Sequence, residues 1–99
     1  MGSKKEKRMV VVTTDSTRRG VFFGELVDRV SDSVVRLKDA QMCIYWPVET
    51  HGVLGLASRG PGRGAKVSPQ IPKIEINGVT AIMDATDDAV LAWRVEPWR

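Results

Sequence analysis

Residues 20–46, GVFFGELVDRVSDSVVRLKDAQMCIYW, decide the fold of this chain. Val21, Phe23, Glu25, Val27 and Arg29 alternate with Phe22, Gly24, Leu26, Asp28 and Val30. After Ser31-Asp32-Ser33 the alternation resumes, with Val35, Leu37, Asp39, Gln41, Cys43 and Tyr45 interleaved with Val34, Arg36, Lys38, Ala40, Met42, Ile44 and Trp46. A period of two in residues rich in β-branched and aromatic side chains marks a strand, because successive side chains leave opposite faces. Asp and Ser between two such runs predict a hairpin turn. Gly24, inside the first run, predicts a bend, a bulge or the close approach of another backbone. A sheet bent at that point curls towards a barrel.

The flanking chain completes a small sheet. Met9–Thr14, MVVVTT, reads as a first strand, and the polar stretch Asp15–Gly20 as a connection. Trp46-Pro47 ends the third strand, since proline cannot donate to a ladder. Glu49–Ser58 carries Val53, Leu54 and Ala57 at helical spacing, with Thr50 as N-cap and Gly60 at the position that closes the helix. Residues 58–72 hold glycines and prolines at close intervals and read as a mobile loop. Asn77-Gly78 between the runs Lys73–Ile76 and Val79–Asp84 predicts a hairpin with a type I′ turn. In ATDDAVLAWRV, Thr86 is an N-cap candidate, and Asp87 and Asp88 suit the first turn of a final helix that Pro97 ends. The expected fold is mainly β with an α+β character. It is a small, strongly bent antiparallel sheet or barrel of about five strands, with one short helix inserted before the fourth strand and a short C-terminal helix.

Size and composition narrow the function classes. A chain of 99 residues is one domain, and its 42% apolar and 27% charged residues exclude global disorder. No apolar run approaches the roughly 18 residues of a membrane helix. With no signal-peptide pattern and Cys43 as the only cysteine, the expectation is a cytoplasmic protein with no membrane partner. Of the net charge of +3, all is carried by residues 1–8, where Lys4, Lys5, Lys7 and Arg8 oppose Glu6. Those eight residues read as a disordered basic tail, and residues 9–99 as a single, neutral domain. A neutral body argues against a broad cationic face for duplex nucleic acid.

No catalytic constellation stands out. His51 is the only histidine, and with Cys43 it makes neither an evident catalytic pair nor a closed zinc shell, so no enzyme activity, metal or cofactor is expected. The best ligand candidate is Arg59-Gly60-Pro61-Gly62-Arg63-Gly64-Ala65-Lys66. Arg59, Arg63 and Lys66 on a glycine-rich backbone can bring guanidinium forks and exposed N–H groups to phosphate oxygens, and Arg18 and Arg19 can add to them. It is no Walker A loop, because Val67 follows Lys66. The same stretch reads equally as a solvated loop. Tyr45 and Trp46 offer either a stacking surface for a base or apolar packing in the core or between subunits. Trp93 and Trp98 suit the core or a partner subunit, and tryptophans this numerous in a small domain point to a homo-oligomer.

The run Phe23-Gly24-Glu25-Leu26, then Leu37, Ala40 and Tyr45-Trp46, then Leu56-Ala57, Ala81-Ile82, Thr86-Asp87 and Ala89 resembles a small phage domain family of unknown function. The resemblance spans roughly residues 15–95. The chain differs from that pattern at Gly52 and Gly55, where polar residues are expected, and in a longer Arg/Gly loop. A second, fold-level similarity is to Sm-like barrels, on Gly24-Glu25-Leu26 and Leu37-Lys38-Asp39-Ala40, and implies rings that bind RNA or nucleotides. The leading expectation is a non-catalytic, phage-type oligomer that binds a phosphate-bearing nucleotide through Arg18, Arg19, Tyr45, Trp46, Arg59, Arg63 and Lys66. Its role would be anti-defence, by sequestering a nucleotide signal of host immunity. The alternatives are an Sm-like ring that binds RNA or DNA, and a protein-interaction module.

Overall fold

Val10, Val11 and Val12 are all fully buried, which is why the first strand reads as an unbroken apolar run. They lie in β1 (Met9–Thr14), which pairs antiparallel with β2 (Val21–Ser31) on one side and with β6 (Val79–Asp84) on the other. β3 (Val34–Tyr45) continues the sheet beyond β2. Its far edge carries β5 (Ile71–Ile76) along Val35–Ala40 and the two-residue β4 (Lys66–Val67) at Cys43 and Tyr45. α1 (Gly52–Ser58) lies between β3 and β4, and α2 (Asp87–Val95) ends the fold. The computed structural model describes residues 7–15, 20–46, 52–61 and 64–95. It is a mostly β protein with a six-stranded antiparallel sheet and two short helices.

The expected hairpin of β2 and β3 is present, with Ser31 opposite Val34 across Asp32-Ser33. It is far from regular. Glu25 pairs with Lys38 but Phe23 pairs with Gln41, so β3 carries one extra residue opposite Gly24. The insertion sits at Asp39, whose φ of 51° is the only positive value at a non-glycine among the described residues. This is a β-bulge with a residue in the left-handed region, where Asp is tolerated better than most. Glycine suits position 24 because a Cβ there would stand a tight 3.0 Å from the Lys38 carbonyl oxygen and 3.2 Å from the Ala40 Cα. Further slips between Leu26 and Asp28 and between Arg29 and Ser31 put the extra residues on β2. There Val27 is exposed, against the burial that simple alternation with Val21 and Phe23 implies, and Val30 is exposed as well.

The slips bend the sheet, and its two sides become two cores. Val10, Val12, Val35, Leu37, Ala40 and Ile76 fill the concave side. On the convex side Val11, Val21, Phe23, Cys43 and Val67 pack against Leu56 and Ala57 of α1 and Ala89 and Trp93 of α2. The bulge decides which residues go where, since a one-residue slip moves every later side chain to the other face. Val35 and Leu37 point into the concave core, whereas Gln41 and Cys43, on the same alternation in sequence, end up on the other side with the helices. The outer face of the β2–β3–β5 region is solvated, with Arg36 bridging Asp28 at 3.2 Å and Glu75 at 3.1 Å.

Asn77-Gly78 does not make the predicted hairpin. β5 pairs with β3 and β6 pairs with β1, so the two strands lie at opposite ends of the sheet. Gly78 has the positive φ of 72° that the motif calls for, but Asn77 does not share it, and a type I′ turn needs both. Instead the segment carries the chain from one sheet edge to the other. The Asp15 N–H donates to the Gly78 carbonyl at 3.0 Å, and the Val79 N–H donates to the Ser33 carbonyl at 3.0 Å, which ties the hairpin tip to β6. The expected loose loop is also largely ordered among its described residues. Pro61 and Val67 are fully buried, β5 begins at Ile71 rather than Lys73, and β4 raises the strand number from about five to six. Pro72 is tolerated because β5 pairs along one edge.

The helices end and begin as their residues direct. Gly60, at a φ of 88°, closes α1 with its N–H donated to the Gly55 carbonyl at 3.1 Å. Thr86 caps α2, its hydroxyl accepting from the Ala89 N–H at 3.1 Å and donating to the Ser58 carbonyl at 2.7 Å. Residues 49–51, expected to open α1 with Thr50 as cap, lie outside the described residues. A Cβ on Gly60 would stand 2.5 Å from the Ala92 Cβ and 3.0 Å from the Ala89 carbonyl oxygen. Gly60→Ala therefore combines left-handed strain with overpacking and should destabilise the fold by roughly 2–5 kcal/mol, read from the urea midpoint.

Candidate functional site

Beyond the bulge, β3 leaves the concave core and its last residues form one wall of a cleft. Met42, Cys43, Ile44 and Trp46 line it, opposite Thr13 and Thr14 of β1, Gly20 and Val21 at the start of β2, and Val53 of α1. Its volume is about 560 Å³, within the range of small-molecule sites. Among the described residues, none of those that line it is charged. The hydroxyls available are partly committed. Thr13 Oγ1 shares a hydrogen bond of 2.8 Å with Thr80 Oγ1, and the Thr14 hydroxyl donates to the Gly20 carbonyl at 3.4 Å. Such a slot suits a flat, uncharged ring better than a phosphate group.

The sequence-predicted residues are partly brought together. Trp46 is half-buried, packs against the convex core and lines the cleft. Tyr45, just before it, is exposed and stands directly opposite Lys66 of β4. Trp46, Tyr45 and Lys66 therefore share one corner of the fold. Arg59 is exposed immediately after α1, where its backbone N–H donates to the Gly55 carbonyl at 2.8 Å. Arg18, Arg19, Arg63, His51 and Trp98 lie outside the described residues. Trp93 closes the convex core rather than facing outward, stacked on Phe23 with ring centroids 4.8 Å apart and donating from Nε1 to the Leu56 carbonyl at 3.0 Å. Among the described residues no group of three or more His, Cys, Asp or Glu side chains is placed to hold a metal ion, and no helix is long and apolar enough to cross a membrane.

Sequence reasoning missed the polar network that fixes this end of β3. Gln41 is buried, and its Nε2 donates to the Trp93 carbonyl at 3.0 Å and to the Ser68 carbonyl at 3.3 Å. Arg94 Nη1 donates to the Gln41 Oε1 at 2.7 Å and to the Asp39 carbonyl at 2.8 Å. The guanidinium carbon also lies 4.9 Å from the Phe23 ring centre, a cation–π contact. Burial pushes the Arg94 pKa below its ordinary value, opposed by the nearby charges of Asp39 and Glu25. A signal was there: Asp39 and Gln41 interrupt an apolar alternation of Val35, Leu37 and Cys43, and a buried amide needs partners.

Residues 7–93 match a family described as a domain of unknown function (DUF6948), and the chain belongs to that family. No curated protein and no solved structure matches the chain.

Cys43 tests whether the cleft wall is as apolar as its residues indicate. Burial pushes its thiol up to about 11, against a smaller lowering by a backbone hydrogen bond at Tyr45. The folded state thus favours the neutral thiol. That contribution is complete below the unfolded thiol's pKa and is lost as pH rises through about 11. Iodoacetamide should alkylate the native protein at pH 8 at least about tenfold more slowly than the urea-unfolded chain, because only the thiolate reacts. Equal rates in the two states would mean that Cys43 is not held in an apolar wall.

Proposed function

We propose that the protein is a non-catalytic, phage-type, oligomeric binding protein for a nucleotide-type ligand, with the base in the cleft beside Trp46 and the phosphate at Lys66. The observation that supports it is the cleft of about 560 Å³ whose described lining residues carry no charge, with an indole in its wall and a lysine on the neighbouring strand pair. An aromatic wall stabilises any base through its π-face, by about 1–3 kcal/mol. Lys66 supplies a charge-assisted contact outside the apolar slot, where its ammonium stays hydrated. Arg59, and from the sequence Arg18, Arg19 and Arg63, are the further candidates for phosphate. In a phage, such a protein would act in anti-defence by sequestering a nucleotide signal of the host cytoplasm.

The second reading is an Sm-like ring that binds RNA or DNA. The strand connectivity favours it: β1, β2, β3 and β5 follow one another across the sheet, and β6 returns to pair with β1. The likeness is one of fold and carries no function by itself. Salt dependence separates the two readings. A compact nucleotide titrates with modest salt dependence, whereas a nucleic-acid strand held at several phosphates loses affinity steeply as salt rises.

Native mass spectrometry of protein purified gently from bacterial lysate reads subunit number and retained ligand together. The expected result is an oligomer with a nucleotide-sized adduct, which Trp46→Ala weakens about tenfold or more and Lys66→Ala weakens as well. An oligomer without adduct that binds short RNA would favour the ring reading. A monomer that takes up neither would overturn both.

A further inference from the structure

Arg94 reaches from the last turn of α2 to the bulge in β3, far from it in sequence. Its Nη1 holds the carbonyl of Asp39, the residue in the left-handed conformation, at 2.8 Å, and the side chain of Gln41, two residues on, at 2.7 Å. Gln41 in turn accepts no slack: its amide nitrogen is committed to Trp93 and Ser68 carbonyls. The residues that follow immediately, Met42, Cys43, Ile44 and Trp46, are the β3 wall of the cleft. A left-handed non-glycine residue is held in place only when its surroundings over-determine it. Here the surroundings are Gly24 on the β2 side and the Arg94 guanidinium on the α2 side.

We propose that Arg94 is a positioning residue for the cleft: it pins the bulge at Asp39 and so sets the direction in which β3 delivers Met42, Ile44 and Trp46. The Arg94 hydrogen-bond partners Asp39 and Gln41, and the Phe23 ring beneath it, are not among the described lining residues of the cleft. The backbone path is short, with Gln41 leading directly into Met42, whose N–H is held by the Ser68 hydroxyl at 2.9 Å. Arginine is suited to the position because the two N–H groups of its Nη1 meet both acceptors while the guanidinium carbon stays over the Phe23 ring. Lysine keeps the charge and three donors but has no planar group to set over the ring. α2 therefore governs the shape of a site that it does not line.

The test compares Arg94→Ala, Arg94→Lys and, as a control, Arg36→Ala, which removes an arginine from the solvated face of the same strand. Amide hydrogen exchange and the indole N–H resonance of Trp46 are followed by NMR. In Arg94→Ala, exchange at Met42, Cys43 and Ile44 should quicken at least about tenfold more than at Val11 and Val12 of the central strand, with the Trp46 resonance displaced. Arg94→Lys should fall between the alanine variant and the wild type, and Arg36→Ala should change neither readout. Uniform quickening across β1 and β3, or an unmoved Trp46 resonance in both Arg94 variants, would overturn the proposal and leave Arg94 as a fastening of the core alone. A titration with adenosine monophosphate rests on the nucleotide reading given above, and Arg94→Ala should weaken it about tenfold. If adenosine monophosphate binds none of the proteins, that reading loses support while the exchange result still decides the role of Arg94.

Discussion

The structure depends on one register slip. Opposite Gly24 the strand β3 holds one residue more than its partner, and the surplus is absorbed at Asp39 in a left-handed conformation. Side chains alternate strictly along a strand, so one extra residue exchanges the faces of everything beyond it. Before the slip, Val35 and Leu37 fill the concave core. After it, Cys43 joins the convex core beside Phe23 and Trp93, and the end of β3 is free to form a wall of the cleft. A regular hairpin would continue a single core and leave the helices with little to cover.

Two constraints hold the slip, and they come from different parts of the chain. Gly24 gives room, since a Cβ there would press on the Lys38 carbonyl at 3.0 Å and the Ala40 Cα at 3.2 Å. Arg94 gives the backbone a partner, at the cost of desolvating a guanidinium that packs on Phe23. The buried amide of Gln41 links the two by satisfying the Trp93 carbonyl at the end of α2, where helix carbonyls lack partners of their own. A sheet too small to enclose one large core thus acquires a second, between its convex face and two short helices.

Much of this was legible in the chain, and the parts that were not share a cause. The β2–β3 hairpin, the bend at Gly24, the Thr86 cap and the Gly60 helix end all follow from residues within a few positions of one another. Asn77-Gly78 misled because its local signal is that of a hairpin, while the curled sheet had already placed β3 and β1 as better partners for β5 and β6. Val27, on the same alternation as the buried Val21 and Phe23, is exposed because slips that no local pattern announces interrupt the strand. Of the residues singled out by type, Trp46 lines the cleft, while Tyr45 and Lys66 pair across β3 and β4. The reach of Arg94 to Asp39 spans 55 positions, and only the closed fold creates it.

The measurement that tests the slip most directly is urea unfolding of Asp39→Gly and Asp39→Val. Arg94 holds the carbonyl of Asp39, which both variants retain, so the comparison reads the backbone conformation rather than the side chain. With a φ of 51° at this position, glycine should be tolerated to within about 1 kcal/mol. Valine, which is β-branched and poorly suited to the left-handed region, should cost at least about 1–2 kcal/mol more than glycine. If valine proves as stable as glycine or more so, residue 39 lies in an ordinary extended strand, and both the slip and the division into two cores are contradicted.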